Sequence, residues 1–462
     1  MRLAQIHDAN KRAYMSTGNL LTRPRPVNSD WRSKFHLGKK NKRRTTELGL
    51  LIISIIITIS AYVVASLGKS ATIPSNIIPI LAVLLALSLT AHLGTRWLAP
   101  NADPIMLPVA SLLNGLGFVM ITRIDYHEAI LQAIWSAVGV AGYLASLYFI
   151  RNSAVLDRYR YLLGAGGIAL LMLPLVPKLG VNINGVRLWI HLGPLTFQPV
   201  EAAKLLLAVF FASYFVEKRE LLGHPIGGDK KVTLIEVRAL GPIFAAWGIS
   251  LLIMTAERDV GFSLLIFLVF IITLWLATSR KTYLILGGGL FGLGTIVASI
   301  LFSHVRDRLV VWLNPWKYAS TIGYQLIQGQ FALGYGGVGG TGLGRGHPTL
   351  IPVVASDYIF AAIGEEMGLL GTTAIVFAFL ILVGAGLRAA LRAKNDFSKL
   401  LAASFTVIIG LQSFFIMAGI VRLLPLTGVT LPFVAYGGSS LVANYVLIAI
   451  LMRISQEGNL LQ

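Results

Sequence analysis

Apolar runs close to the length of a bilayer crossing recur from one end of the chain to the other. They fall at 47–68, 76–95, 105–123, 129–150, 160–176, 199–217, 238–256, 260–278, 283–304, 357–388, 398–421 and 432–453. A helix rises about 1.5 Å per residue, so about 20 apolar residues cross a hydrocarbon core of about 30 Å. Lipid offers no hydrogen bonds, and such a run must close its backbone bonds internally as a helix. The expected fold is an all-α polytopic membrane protein with about twelve transmembrane helices. Only 13% of residues are charged, where soluble domains carry about 25%, which excludes a soluble globular enzyme.

Charge sets the expected orientation. The chain carries a formal charge of +19, much of it in the first 44 residues and in short connections. It lacks the clustered pattern of a groove-reading domain, so nucleic acid is not an expected partner. Residues 1–46 form a basic arm, expected to be disordered and held at the anionic inner leaflet. Trp31 and Phe35 would instead let it dock a cytoplasmic partner. The run after it is long and lacks a small-residue cleavage site, unlike a secretory signal. With the arm inside, the inside connections hold Arg151 to Arg160, Lys218 to Lys231, Arg280 with Lys281, and Arg388 to Lys399. This is the positive-inside distribution. Both termini are then cytoplasmic. The segment 305–356 follows the ninth run and lies outside, ahead of the tenth helix. Residues 47–180 are a first block of helices and 181–462 a core carrying that loop. No internal repeat is evident, which disfavours a secondary transporter. With no cysteine, disulfides, thiolate metal sites and cysteine nucleophiles are excluded.

The 305–356 loop is rich in glycine and aromatics, unlike a disordered linker, and a long loop of this kind is usually functional. It carries Arg306, Arg308, Lys317 and Arg345, and leads to Asp357 at the lip of the next run. Asp357 is either a helix N-cap, or a base or electrostatic anchor whose pKa partial burial would raise; both can hold. Glu365 and Glu366 follow two turns deeper, on other helix faces, where a cavity or a buried cation would satisfy them. Gly337, Gly339 and Gly342 fit GxGxxG, but no strand and βαβ unit surrounds them. They are expected to supply turns or close backbone approach. No phosphate-binding P-loop motif is present.

Three further clusters stand out. In NGVRLWIHLGPLTFQPVEAAK, Arg187, Trp189 and His191 lie in an outside loop, Pro199 opens a helix, and Glu201 and Lys204 are i,i+3 neighbours. An intramembrane pair of this kind either serves function or fixes the bundle. At AERDVG, Glu257, Arg258 and Asp259 mark a helix junction or a solvated turn. In LLPLTGVTLPFVAYGGSSLVAN the prolines and glycines suggest irregular backbone around a cavity. Tyr436, Ser439, Ser440 and Asn444 would line it or satisfy neighbouring helices.

From about residue 184 onward the chain resembles the SEDS family of bacterial membrane proteins, which includes RodA and FtsW. The resemblance rests on GVRLWIHLGPLTFQPVEAAK, LNPWKYASTIGYQLIQGQFALGYGGVGGTGLG, ASDYIFAAIGEEMGLLG and LPLTGVTLPFVAYGGSS. It implies a core of about ten helices, so that two N-terminal helices are additional. It also implies a peptidoglycan glycosyltransferase that polymerises lipid II at the outer face of the bacterial cytoplasmic membrane and releases undecaprenyl pyrophosphate. A class B penicillin-binding protein and other elongation or division proteins would be its partners. The absence of a long C-terminal tail favours the RodA-like elongation branch over an FtsW-like division enzyme. A lipid II flippase and a docking scaffold are the alternative readings. Asp357 matches the family's essential aspartate and is the expected catalytic residue, or the holder of a divalent cation such as Mg2+ or Mn2+. Arg187, Glu201, Lys204, Arg308, Lys317, Gln325, Gln328, Arg345, Ser439 and Ser440 are the expected substrate-binding residues. Asp259, Glu365, Glu366, Tyr436 and Asn444 are expected to shape the cavity. Arg258-Asp259-Val260-Gly261 stands where the family has PDLG, so the acid is kept and the proline is not.

Overall fold

The computed structural model describes residues 30–70, 78–177, 179–183, 186–192, 195–222, Gly248 and 260–460 of the 462. The chain runs through α1 (Asp30–Ser70), α2 (Ile78–Leu98), α3 (Met106–Ile124), α4 (Tyr126–Phe149) and α5 (Arg160–Met172). A small sheet follows, of β1 (Gly180–Ile183), β2 (Val186–Leu192) and β3 (Leu195–Phe197). Then come α6 (Pro199–Glu217), α7 (Val260–Thr278), α8 (Lys281–Leu301), α9 (Ser303–Leu313), α10 (Tyr324–Gly336), α11 (Ile359–Leu391), α12 (Asp396–Ile420) and α13 (Gly438–Asn459).

Local chemistry explains the helix ends. Asp125 closes α3, and its carboxylate accepts from the amides of His127 (2.7 Å) and Glu128 (3.3 Å) at the start of α4. One side chain thus caps a tight hairpin. Asn395 caps α12 through the Ser398 amide at 2.7 Å. Pro199 occupies the first turn of α6, where its missing N–H costs nothing.

Among the described residues ten helices are long and apolar enough to cross a membrane, fewer than the expected twelve or so. The run at 160–176 forms only the 13-residue α5, ended by a 3-10 turn at Leu173–Leu175 around Pro174. That helix is about 20 Å long, yet with the 3-10 turn the chain still crosses: Arg160 pairs with Glu217 at one end of α6, and Gln198 at the other end donates to Ser439 (2.8 Å). The run at 238–256 lies outside the described residues apart from Gly248. The arm expected at 1–46 is helical from Asp30 onward.

Two expectations of the loops are also corrected. The segment expected to be an outside loop around Arg187 is an antiparallel three-stranded sheet, so the fold is not purely helical. Leu188 and Ile190 are buried while Arg187 and His191 are exposed, the two-residue alternation of a half-covered strand. The segment expected as one long loop at 305–356 holds α9, α10 and two 3-10 turns at Pro315–Tyr318 and Pro348–Leu350.

The most enclosed spans are α6 and α13, and the least is α8. At one end of the bundle, Arg43 donates to the Asn101 carbonyl (2.7 Å), Arg453 to that of Leu98 (3.0 Å) and Asn459 to that of Asn101 (3.0 Å). The start of the first span and the end of the last therefore share one end. At the other end Lys69, closing α1, donates to the Arg123 carbonyl (3.0 Å), beside the segment between α10 and α11.

Candidate active site

The site is built around an interrupted helix. At Gly368 α11 leaves helical geometry, with φ 65° and ψ −163°. An L side chain avoids that φ, so the interruption depends on glycine. A broken turn orphans backbone groups, and buried orphans must find partners. The glycine-rich loop 337–347 supplies them. The carbonyls of Glu365 and Glu366 accept from the amides of Thr341 (2.9 Å) and Gly342 (3.0 Å). The amides of Leu369 and Leu370 donate to the carbonyls of Gly337 (3.0 Å) and Val338 (3.2 Å). Contact this close leaves no room for side chains: a Cβ on Gly340 would lie 2.2 Å from the Glu366 carbonyl oxygen.

The two glutamates complete the seam. The Glu366 carboxylate accepts from the Gly344 amide (2.8 Å) and pairs with Arg123 (3.3 Å). Arg123 also donates to the carbonyls of Gly346 (2.8 Å) and Gly344 (3.3 Å). The Glu365 carboxylate accepts from the His347 amide at 2.7 Å. Both acids are buried. They hold the loop, and the part-buried Arg123 is the cation expected beside them.

Asp357 sits where the chain leaves that loop and enters α11. The helix is capped by Tyr358 without any side-chain cap bond, so the N-cap role is overturned and the Asp357 carboxylate is not spent on the backbone. Asp357 is half-buried and its neighbour Ser356 donates to it at 3.1 Å. Burial pushes its carboxyl above the ordinary aspartate range, while the Ser356 bond and the Arg308 charge pull it back. The loop before it is tied at two points: Gln325 donates to the Pro352 carbonyl (2.8 Å), and the Tyr436 amide to that of Ala355 (2.9 Å). Arg308 donates to the carbonyls of Thr427 (2.8 Å) and Leu426 (3.3 Å), which fixes the irregular 421–437 segment opposite.

The other expected substrate residues divide by burial. Arg187, Lys317 and Arg345 are exposed, and Gln328 and Tyr436 are half-buried. Glu201, Lys204, Ser439, Ser440 and Asn444 are buried inside the bundle. Lys204 pairs with Glu201 and donates to Gln412 (2.7 Å), whose amide donates to the Thr430 carbonyl (3.1 Å). Thr430 and Ser440 share a hydroxyl bond (2.9 Å), Asn444 donates to Ser440 (3.2 Å), and Ser439 accepts from the Gln198 amide (2.8 Å). These residues brace α6, α12 and α13 against the 421–437 segment. Asp259 lies outside the described residues. Among the described residues no group of three or more His, Cys, Asp or Glu could hold a metal ion.

Sequence reasoning missed Arg123, Gln412 and Arg422, whose guanidinium donates to the carbonyls of Trp312 (2.8 Å) and Leu313 (2.7 Å) at the end of α9. The signal for Arg123 was a cation at the end of the bundle that charge counting leaves poor in cations. The signal for the sheet was Asn184-Gly185 between alternating residues, the strongest short hairpin pattern.

The sequence model of the FtsW, RodA and SpoVE proteins, described as "Cell cycle protein", matches residues 103–460. The chain belongs to the FtsW/RodA/SpoVE family. It is 41% identical over 428 residues to the peptidoglycan glycosyltransferase RodA of Mycobacterium tuberculosis, covering 89% of this chain and 90% of that protein. It is 39% identical over 430 residues to the peptidoglycan glycosyltransferase RodA of Mycobacterium leprae, covering 90% of this chain and 91% of that one. A chain solved within a peptidoglycan synthase complex that coordinates polymerization and crosslinking shares the fold, with a TM-score of 0.61 and 22% identity, over 77% of this chain and 98% of that one. As a member of the FtsW/RodA/SpoVE family, the protein carries α1 and α2 ahead of the matched residues. The mycobacterial alignments cover more of the chain than residues 103–460 amount to, so part of that extension is shared with those relatives.

Proposed function

We propose that this FtsW/RodA/SpoVE-family protein is a peptidoglycan glycosyltransferase of the RodA kind, polymerising lipid II at the outer face of the cytoplasmic membrane. The observation that carries the reading is Asp357: a half-buried carboxylate with raised pKa, left free by the helix it precedes, in a loop tied down on both sides. The RodA relatives, at 41% and 39% identity over most of the chain, support the activity and the branch. The orientation follows from charge. Arg151, Arg160, Lys218, Arg388 and Lys399 belong to connections at the end opposite Asp357, which the positive-inside rule places in the cytoplasm.

In this reading Asp357 accepts the proton of the acceptor sugar's 4-hydroxyl. The freed oxygen attacks the anomeric carbon of the lipid-linked donor, and the bond from that carbon to the pyrophosphate oxygen breaks with inversion. A carboxyl lifted above the ordinary aspartate range is a stronger base for the acceptor hydroxyl proton. The departing diphosphate gathers negative charge. Exposed Lys317 and Arg345 can meet it with charge-assisted bonds. Mg2+ is commonly held by one or two carboxylates plus substrate phosphates. Asp357 fits that single-carboxylate role, and a cation bound there would offset charge on the diphosphate. The partner in this reading is a class B penicillin-binding protein that crosslinks the glycan.

The test is polymerisation of lipid II by the purified chain with its transpeptidase. Asp357→Asn is expected to abolish glycan formation. Glycan made at the wild-type rate would remove the base role, and lipid II movement without any glycan from the wild type would favour the flippase.

A further inference from the structure

The helix that precedes the family core touches the loop that the candidate active site depends on. A Cβ on Gly68 of α1 would lie 2.1 Å from the Leu343 carbonyl oxygen, and one on Gly344 would lie 2.2 Å from the Ala65 carbonyl oxygen. Two backbones therefore meet with no side chain between them, and Gly344 has a φ of +83° that favours glycine. Leu343 packs on the small apolar cluster of Ala61, Tyr62, Ala65 and Val119. Lys69 adds its bond to the Arg123 carbonyl (3.0 Å).

We propose that α1 is a brace for the reaction centre and that Gly68 is a positioning residue for Asp357, acting through Gly344 and Glu366. Three features carry this. First, Gly344 is bonded directly to the Glu366 carboxylate (2.8 Å) and His347 to that of Glu365 (2.7 Å). Second, the chain from His347 returns to the same helix at Asp357, so both ends of that return are tied to one rigid element and moving one re-aims the other. Third, α1 cannot relax by sliding. Its far end is held by Arg43 on the Asn101 carbonyl (2.7 Å), Arg44 on that of Ala102 (2.6 Å) and buried Glu47 against His92 (2.7 Å). A displacement at Gly68 passes into the loop. Misplacing a catalytic group by about 1 Å costs about a hundredfold in rate.

This rests on the glycosyltransferase reading for its kinetic arm only. In the full chain with its transpeptidase, Gly68→Val is expected to lower kcat for lipid II polymerisation by at least about tenfold. KM and transpeptidase co-purification should stay at wild-type values, while the overpacked seam lowers the melting temperature modestly. Lys69→Gln, which adds no bulk, is expected to lower kcat less, in the same direction. Amide hydrogen exchange at Thr341, Gly342, Gly344 and His347, all bonded to α11, is expected to speed up in Gly68→Val. Wild-type kcat in both variants overturns the brace. So does a fall in kcat without faster exchange at those amides, or one that follows only a loss of melting temperature. If exchange speeds up but the wild-type chain makes no glycan, the brace stands and the glycosyltransferase reading fails.

Discussion

The guanidinium of Arg123, ending α3, stands 3.3 Å from the carboxylate of Glu366, on the far side of the glycine loop. The loop is clamped between them: Arg123 holds two of its carbonyls and Glu366 one of its amides. A buried pair broken on one side costs about 3–5 kcal/mol, because the remaining charge is stranded. Arg123→Leu should lower the melting temperature of the purified protein and its polymerisation rate together. The double variant Arg123→Leu/Glu366→Gln should recover much of the lost stability. A double variant as unstable as the sum of the singles would contradict the pairing.

Asp357 is half-buried, and burial works against its charge. Its folded pKa is raised, so the folded state binds the proton more tightly than the unfolded chain does. Above that pKa the full penalty is felt; as pH falls from it towards the ordinary aspartate range the penalty fades away. Asp357→Asn should therefore melt higher than wild type at neutral pH, with the gap closing as pH falls through the raised pKa. Melting curves across pH read this directly, and an unchanged or lower melting temperature at neutral pH would refute it.

Arg308 is one of the influences that pull the Asp357 pKa down. Arg308→Gln should let that pKa rise, so the acid limb of the pH–rate profile moves to higher pH. The variant also loses bonds to Leu426 and Thr427, and some stability with them. An acid limb that stays in place would mean that Asp357 does not govern it.

The Glu201–Lys204 pair is buried and tied to Gln412. Lys204→Met should destabilise strongly, by about 3–5 kcal/mol, because Glu201 is left as a buried charge. Glu201→Gln/Lys204→Met should restore part of that. The exposed cations should behave oppositely: Lys317→Ala and Arg345→Ala should raise KM for lipid II and leave melting unchanged. Unaltered KM in both would take these two out of diphosphate binding.

The membrane spans were legible in the residues alone, because lipid makes each crossing satisfy its own backbone. Apolar length is then a local property, as at 199–217, where Pro199 marks the start and α6 ends at Glu217. Motif spacing identified the family for the same reason, since a string such as ASDYIF is contiguous. The partners of Glu365 and Glu366 were not legible. Gly344 and Arg123 come to them through tertiary packing across 22 and 243 residues of chain, and no window of sequence contains both. The burial of Ser439, Ser440 and Lys204 inside the bundle depends on which helix faces meet. Asp357 was found by sequence as an acid at a helix lip. That it does not cap the helix, and is therefore free for chemistry, was decided only by the fold, since a cap is a matter of geometry and not of residue type.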